Sequence, residues 1–261
     1  MITMADQGCV SLYADKMVYC WNTYFKRNIG SVNDRVYLLT LAVNEVHIRC
    51  GVPRITFSDL GNKSPTTIGT FDRTAWHMKL NYAVIGGYVD ENGFMLMAEA
   101  IYHEARHAEQ HWLIACLASS AIISMAASLD PQLMQRREEL TKNIGVIPKN
   151  ITSRAWGEAV RFNPSLELRE KIKKWYESAY THRFDYRRAL ANIDSNIANN
   201  NPFLNDLREQ AYRSYKSSAH EADAFDVQGL VHNKLYHMLM PRGPSPISFG
   251  GNYPPGDLIV F

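Results

Sequence analysis

The chain reads as an α+β protein that is mostly α. Three observations predict this: an unbroken helical run from Phe94 to Leu117, short alternating segments confined to residues 54–81, and cap-plus-proline helix starts at Asp130-Pro131 and Asn163-Pro164. With 261 residues, 46% hydrophobic and 21% charged, the chain can bury a sizeable core. Residues 1–240 read as one domain with an N-terminal lobe to about residue 129 and a helical C-terminal lobe from about 130. Residues 241–261 form a Pro/Gly-rich tail.

In chain order, Tyr13–Lys26 and Ser31–Cys50 carry amphipathic helical spacing, and Gly51 closes the second. The β region follows as Arg54–Ser58, Thr66–Phe71 and Thr74–Asn81. The last alternates Trp76, Met78 and Leu80 with Ala75, His77 and Lys79, which predicts one buried face and a backbone edge open to an added strand. Asp90-Glu91-Asn92-Gly93 is a turn and helix start, with acids near the positive end of the helix dipole. Beyond it neither proline nor glycine interrupts residues 94–117, and Met95, Ala98, Tyr102, Ala105, Ala108 and Trp112 recur at helical spacing. The apolar, alanine- and serine-rich stretch Leu113–Leu129 suits a buried helix pair and is shorter than the ~20 residues of a membrane span. Pro202 opens a further helix, and residues 212–226 read as the first turns of a helix that runs to about Met238.

Charge and cysteine usage narrow the functional classes. Twenty-eight basic residues against 26 acidic ones give a net charge of +2, which offers nothing to nucleic acid. The densest basic stretch, Lys171–Lys174 followed by Arg183, Arg187 and Arg188, is interleaved with acids and reads as solvated helix faces. Cys9, Cys20, Cys50 and Cys116 lack metal-site spacing and read as buried thiols. The first residues lack the basic and apolar stretch of a signal peptide, so the expected location is cytoplasmic, or secreted by a route that needs none.

Inside the central helical run lies His103-Glu104-Ala105-Arg106-His107, a His-Glu-x-x-His pattern. Histidines four apart on a helix have Cβ atoms about 6 Å from one another, so both imidazoles reach one metal ion. Glu104 then stands beside the ion with its carboxylate free to move a proton between water and a leaving amine. His111 continues the four-residue spacing but lies about 12 Å along the axis from His103, too far for the same ion. It reads as a supporting or surface histidine. Arg106 points off the metal face. Glu99, four before His103, is placed to accept that ring's free N–H, and Gln110, three after His107, to tie two helices together.

The third ligand must come from far along the chain. Residues 212–226 offer His220, Glu221 and Asp223 on the first turns of a helix, and all three are competent ligands. Tyr212, Tyr215 and His220 are candidate donors to an oxyanion opposite the metal. An acidic helix N-terminus explains Glu221 and Asp223 equally without any metal.

On these two segments, residues 98–112 and 212–226, the chain resembles the gluzincin group of zincin metallopeptidases, in which a Glu on a later helix completes a His, His, Glu site. Phe225 stands where the group often has an acid. The resemblance implies a zincin-like core with a small sheet before the metal helix. It implies Zn²⁺ held by His103, His107 and Glu221 or Asp223, Glu104 as general base, and Tyr215 or His220 as a further catalytic donor. A protein or peptide would be the substrate, with an inhibitor or immunity partner unspecified. Compact domains of this kind without signal peptides also resemble bacterial toxin and effector domains. Two readings compete with an enzyme: a non-catalytic, metal-stapled interaction module, and a helical partner-binding protein with no metal. Retention of Glu104 favours the enzyme, because a structural zinc site has no use for that carboxylate.

Overall fold

The computed structural model describes residues 1–61, 67–181, 189 and 204–240. Helix α1 (Gln7–Cys20) begins six residues before the expected start, because Cys9 and Val10 extend the buried stripe of Tyr13, Ala14, Met17 and Cys20 back to an extended N-cap at Asp6. It ends in a wide π-turn, Trp21–Phe25. Helix α2 (Val32–Arg49) is fixed at its start by a reciprocal cap. Ser31 Oγ accepts from the Asp34 N–H at 3.2 Å, and Asp34 Oδ2 accepts from the Ser31 N–H at 2.9 Å. Gly51 follows at φ 72°, a left-handed position that ends the helix cheaply only for glycine.

Three short strands come next: β1 (Thr56–Asp59), β2 (Gly69–Asp72) and β3 (His77–Leu80). The strand expected from Thr66 loses its first residue to the segment outside the described residues and otherwise settles at Gly69. The strand expected from Thr74 starts only at His77. Asp72 Oδ1 caps a turn by accepting from the Thr74 N–H at 2.8 Å, and Trp76 is held at φ 52° with its indole edge-on to Phe71. The sheet order is β1-β3-β2, with Thr56 opposite His77 in the parallel pair and Gly69 opposite Leu80 in the antiparallel one. This overturns the expectation that Thr74–Asn81 keeps an open edge for a substrate, since β3 is the central strand and is paired on both sides. Alternation fixes which face is buried but carries no information about which strand lies in the middle.

A short helix α3 (Tyr82–Gly86) leads to α4 (Glu91–Ser124), whose 34 residues span about 51 Å. Asp90 caps it by accepting from the Gly93 N–H at 2.8 Å. The stretch expected to form a helix pair from Leu113 is instead the last third of this one helix, which runs on without a break to Ser124. Helix α5 (Pro131–Ile144) starts on Asp130, which accepts from the Gln132 N–H at 2.8 Å. Helix α6 (Lys149–Ala159) follows, then α7 (Leu166–Tyr176), capped by Ser165 rather than by the expected Asn163. A second π-turn, Glu177–Thr181, extends α7. Helices α8 (Leu204–Lys216) and α9 (Ala219–Leu239) complete the described chain. The expected helix start at Pro202 and the tail from Pro241 lie outside the described residues.

Everything is arranged around α4. The final helix α9 packs along it and against α1, while α5, α6, α7 and β2 cover its other sides. One apolar cluster runs from Met4 to Leu235, so the two expected lobes share a core. The first residues are pinned to α4 as well: Tyr102 Oη–H donates to the Met4 carbonyl at 2.7 Å, and Glu109 accepts from the Met4 N–H at 3.0 Å. All four cysteines are free and buried. Among the described residues no helix is long and apolar enough to cross a membrane.

Helix α2 is tied to α4 by fully buried His47, whose Nε2–H donates to the Ala105 carbonyl at 3.0 Å. Burial disfavours the imidazolium more than that carbonyl favours it, and the ring's pKa falls to about 4. The unfolded chain therefore binds this proton before the folded one does, and stability is lost as pH drops from about 6.5 towards 4. Urea titrations of wild type and His47→Gln over that range should show wild type losing about 3 kcal/mol more than the variant. Parallel pH profiles for the two proteins would refute this account of His47.

Candidate metal centre

The face of α4 that meets α9 carries His103 and His107, and Glu221 lies on the first turn of α9. His103 Nε2 and His107 Nε2 are 3.1 Å apart, and each lies 3.3 Å from Glu221 Oε2. Ligands 2.0–2.2 Å from a tetrahedral ion sit about 3.3–3.6 Å from one another, so the three atoms are spaced close to those around one metal. Glu221 Oε2 is buried without a hydrogen-bond partner, an acceptor aimed at the point where a cation would satisfy it. Two imidazole nitrogens and a carboxylate oxygen are a donor set that suits a divalent transition metal. His103, His107 and Glu221 could thus hold a metal ion.

Electrostatics agree with the geometry. Burial opposes charge on both histidines, and it takes His103 down to about 4. At His107 the adjacent Glu221 carboxylate overrides burial and lifts the pKa to about 9. Burial also works against the Glu221 anion, but His107 beside it holds its carboxyl well below the usual range. The Glu221 carboxylate is thus kept ionised beside a proton held on His107, and a metal binding there would displace that proton.

Each ligand is held from behind. His107 Nδ1–H donates to Gln110 Oε1 at 2.9 Å, and Gln110 Nε2 donates in turn to the His220 carbonyl and to Asp223 Oδ2, both at 2.8 Å. Gln110 therefore does tie the two helices together, and it directs the His107 Nε2 lone pair inward. His103 packs on the Phe225 ring at 4.6 Å, with the Gln228 amide close enough to favour its protonated form. Glu99 was expected behind His103, but it accepts from His232 Nδ1 at 2.6 Å and from Gln228 at 3.4 Å, one step further out. Gln228 is a supporting residue that sequence reasoning missed, and its spacing of seven from Glu221 on one helix face was the available signal.

Asp223, the alternative ligand, belongs to a different set. Its oxygens take Arg106 Nε at 2.8 Å, Gln110 and Lys171, and Arg106 also pairs with Glu109. Arg106 does point off the metal face, into the protein, where it is 1% exposed. Burial raises the carboxyl of Asp223, but the Arg106 guanidinium reverses this and holds it low. His220 places Nε2 3.4 Å from Glu221 Oε1 and Nδ1 2.8 Å from Ser178 Oγ, and Tyr215 hydrogen-bonds Glu221. Tyr212 stacks loosely on Tyr215 at 6.5 Å. Of the three candidate oxyanion donors, Tyr215 and His220 thus lie against the Glu221 carboxylate. His111 is one turn beyond the cluster, bonded to Tyr180 Oη at 3.0 Å and stacked on Phe71.

Glu104 stands on the sheet side. Its Oε2 accepts from the Phe71 N–H at 2.6 Å, and its charge is felt at both His107 and Tyr215. The Phe71 N–H points away from β3, so β2 is the strand whose outer edge faces this carboxylate. Arg73 fixes the end of β2 to the second π-turn by donating to the Ala179 carbonyl at 3.2 Å.

No protein-family model, curated protein or solved structure matches the chain.

Replacing His103, His107 or Glu221 by Ala should abolish binding of one metal equivalent in a competition titration with a chromophoric chelator. Gln110→Ala should weaken it about 10- to 100-fold while the fold survives. Asp223→Asn should cost less affinity than Glu221→Ala. The reverse order would place the third ligand on Asp223.

Proposed function

We propose that the protein is a zinc-dependent metallopeptidase of gluzincin type, with His103, His107 and Glu221 as ligands and Glu104 as general base. The observation that carries the reading is a second carboxylate, Glu104, placed beside three convergent ligand atoms without joining them. A closed structural site gains nothing from such a group.

A zinc ion held there would lower the pKa of a bound water to about 7 and polarise a substrate carbonyl. The chain's own residues supply the rest. Glu104 accepts the proton that water loses on attack and returns it to the departing amine, so that no free ion is released in a buried site. Phe71 holds Glu104 through its backbone N–H and fixes the carboxylate near His107. Tyr215 and His220 keep Glu221 oriented and ionised. His107 keeps 11% of its side chain exposed and His220 keeps 17%, so solvent approaches from their side.

A peptide would lie extended along β2, not β3 as the sequence suggested. Gly69 and the Phe71 carbonyl turn outward there, next to Glu104, which already occupies the Phe71 N–H. Delivery of such an enzyme as an effector is compatible with this site and is not required by it.

Glu104→Gln is nearly isosteric and cannot take the proton. It should retain stoichiometric zinc and lower kcat on a cleaved peptide by a factor of at least about 100. Wild-type turnover in that variant, with zinc content confirmed, would remove Glu104 as the base.

A further inference from the structure

We propose that a groove at the far end of α4 binds an aliphatic monocarboxylate, a fatty-acid-like ligand whose tail lies on apolar walls and whose carboxylate pairs with Arg169. The groove encloses about 570 Å³ between the last third of α4, α5 and α7. That is within the range of small-molecule sites, about 300–1,000 Å³. Leu117, Ala121, Leu140, Phe162 and Ile172 line it, and the small Ala121 keeps the α4 wall low. Its lining on α4 begins at Ile114, two helical turns or about 10 Å beyond His107, so the inference does not rest on the peptidase reading.

The charges at the groove select the head group. Arg136, Arg169, Lys173 and Glu177 all border it. Arg136 is paired with Glu139 at 3.6 Å and lies over the Tyr176 ring, while Lys173 is paired with Glu170 at 2.7 Å. Arg169 is left over. Its Nε is buried and has no hydrogen-bond partner, and it forms no ion pair among the described residues. A buried N–H without an acceptor is destabilising, and a carboxylate supplies both the acceptor and the counter-charge. One unpaired guanidinium matches a single negative charge. Glu177 on the same rim disfavours a dianion such as a phosphate monoester. The walls then favour an alkyl chain over a polar body.

The test is isothermal titration of the full chain with octanoate, decanoate and decanol. Decanoate should bind one to one and about fifteenfold tighter than octanoate if both added methylenes are fully buried. Decanol, with the tail but no charge, should bind about 10- to 100-fold more weakly than decanoate. Arg169→Gln should abolish that preference, and Ala121→Trp, which fills the groove, should abolish binding of both ligands. Folding of each variant is checked by circular dichroism, and the Arg169→Gln comparison suffices where the tryptophan does not fold. Failure of wild type to bind decanoate would overturn the proposal and leave the groove to another segment of this chain or a second copy. Decanoate affinity unchanged in Arg169→Gln would overturn it too, because the carboxylate would then be held elsewhere.

Discussion

A helix buried on all sides cannot leave its polar side chains to solvent, and α4 is such a helix with His103, Glu104, Arg106, His107, Glu109, Gln110 and His111 within nine positions. An unsatisfied buried polar group costs about 1–3 kcal/mol, so seven of them would cancel the stability of an ordinary domain. The surrounding elements are placed where they answer these groups. The N-terminal segment brings Met4 to Glu109, β2 brings Phe71 to Glu104, the second π-turn brings Tyr180 to His111, and α9 answers the remainder. Packing of apolar surface drives the assembly, but its register is set by this polar inventory.

Two rows on α4 divide the work. His103 and His107 form one row, Arg106 and Gln110 the next, and each row meets its own acid on α9. Glu221 and Asp223 are two residues apart, roughly 200° around their helix, which lets one face the imidazoles while the other faces the guanidinium. Gln110 joins the rows by touching His107, His220 and Asp223 together. A shift of α9 that drew Glu221 away from the imidazoles would also strip Arg106 of its counter-ion, so Glu221 is held in place together with the buried ion pairs.

What was legible in the sequence was what is decided locally. Asp90, Asp130 and the Ser31–Asp34 box state where helices start because a cap needs only its next three residues. The His103–His107 pair is readable for the same reason, being a matter of one helical turn. The third ligand was narrowed to a few residues but not chosen, since His220, Glu221 and Asp223 are all competent and only the rotation of α9 against α4 separates them. The same limit explains Glu99, which sits one residue too far from His103 once Gln228 arrives from α9. Strand order was the largest loss. Nothing in the alternation of residues 74–81 records that β1 and β2 flank that segment.

Arg106 and Asp223 are 117 positions apart in the chain, and their pairing has a consequence for synthesis. A nascent polypeptide that has emerged through α7 carries both histidines and the acid between them. It still lacks the third ligand and has a guanidinium with no place to be buried beyond Glu109. The late arrival of α9 thus couples two events that need not have coincided, closure of the core and completion of the His103, His107 and Glu221 cluster. A partly made or truncated chain gains neither, and the ribosome releases a competent site only with a finished fold.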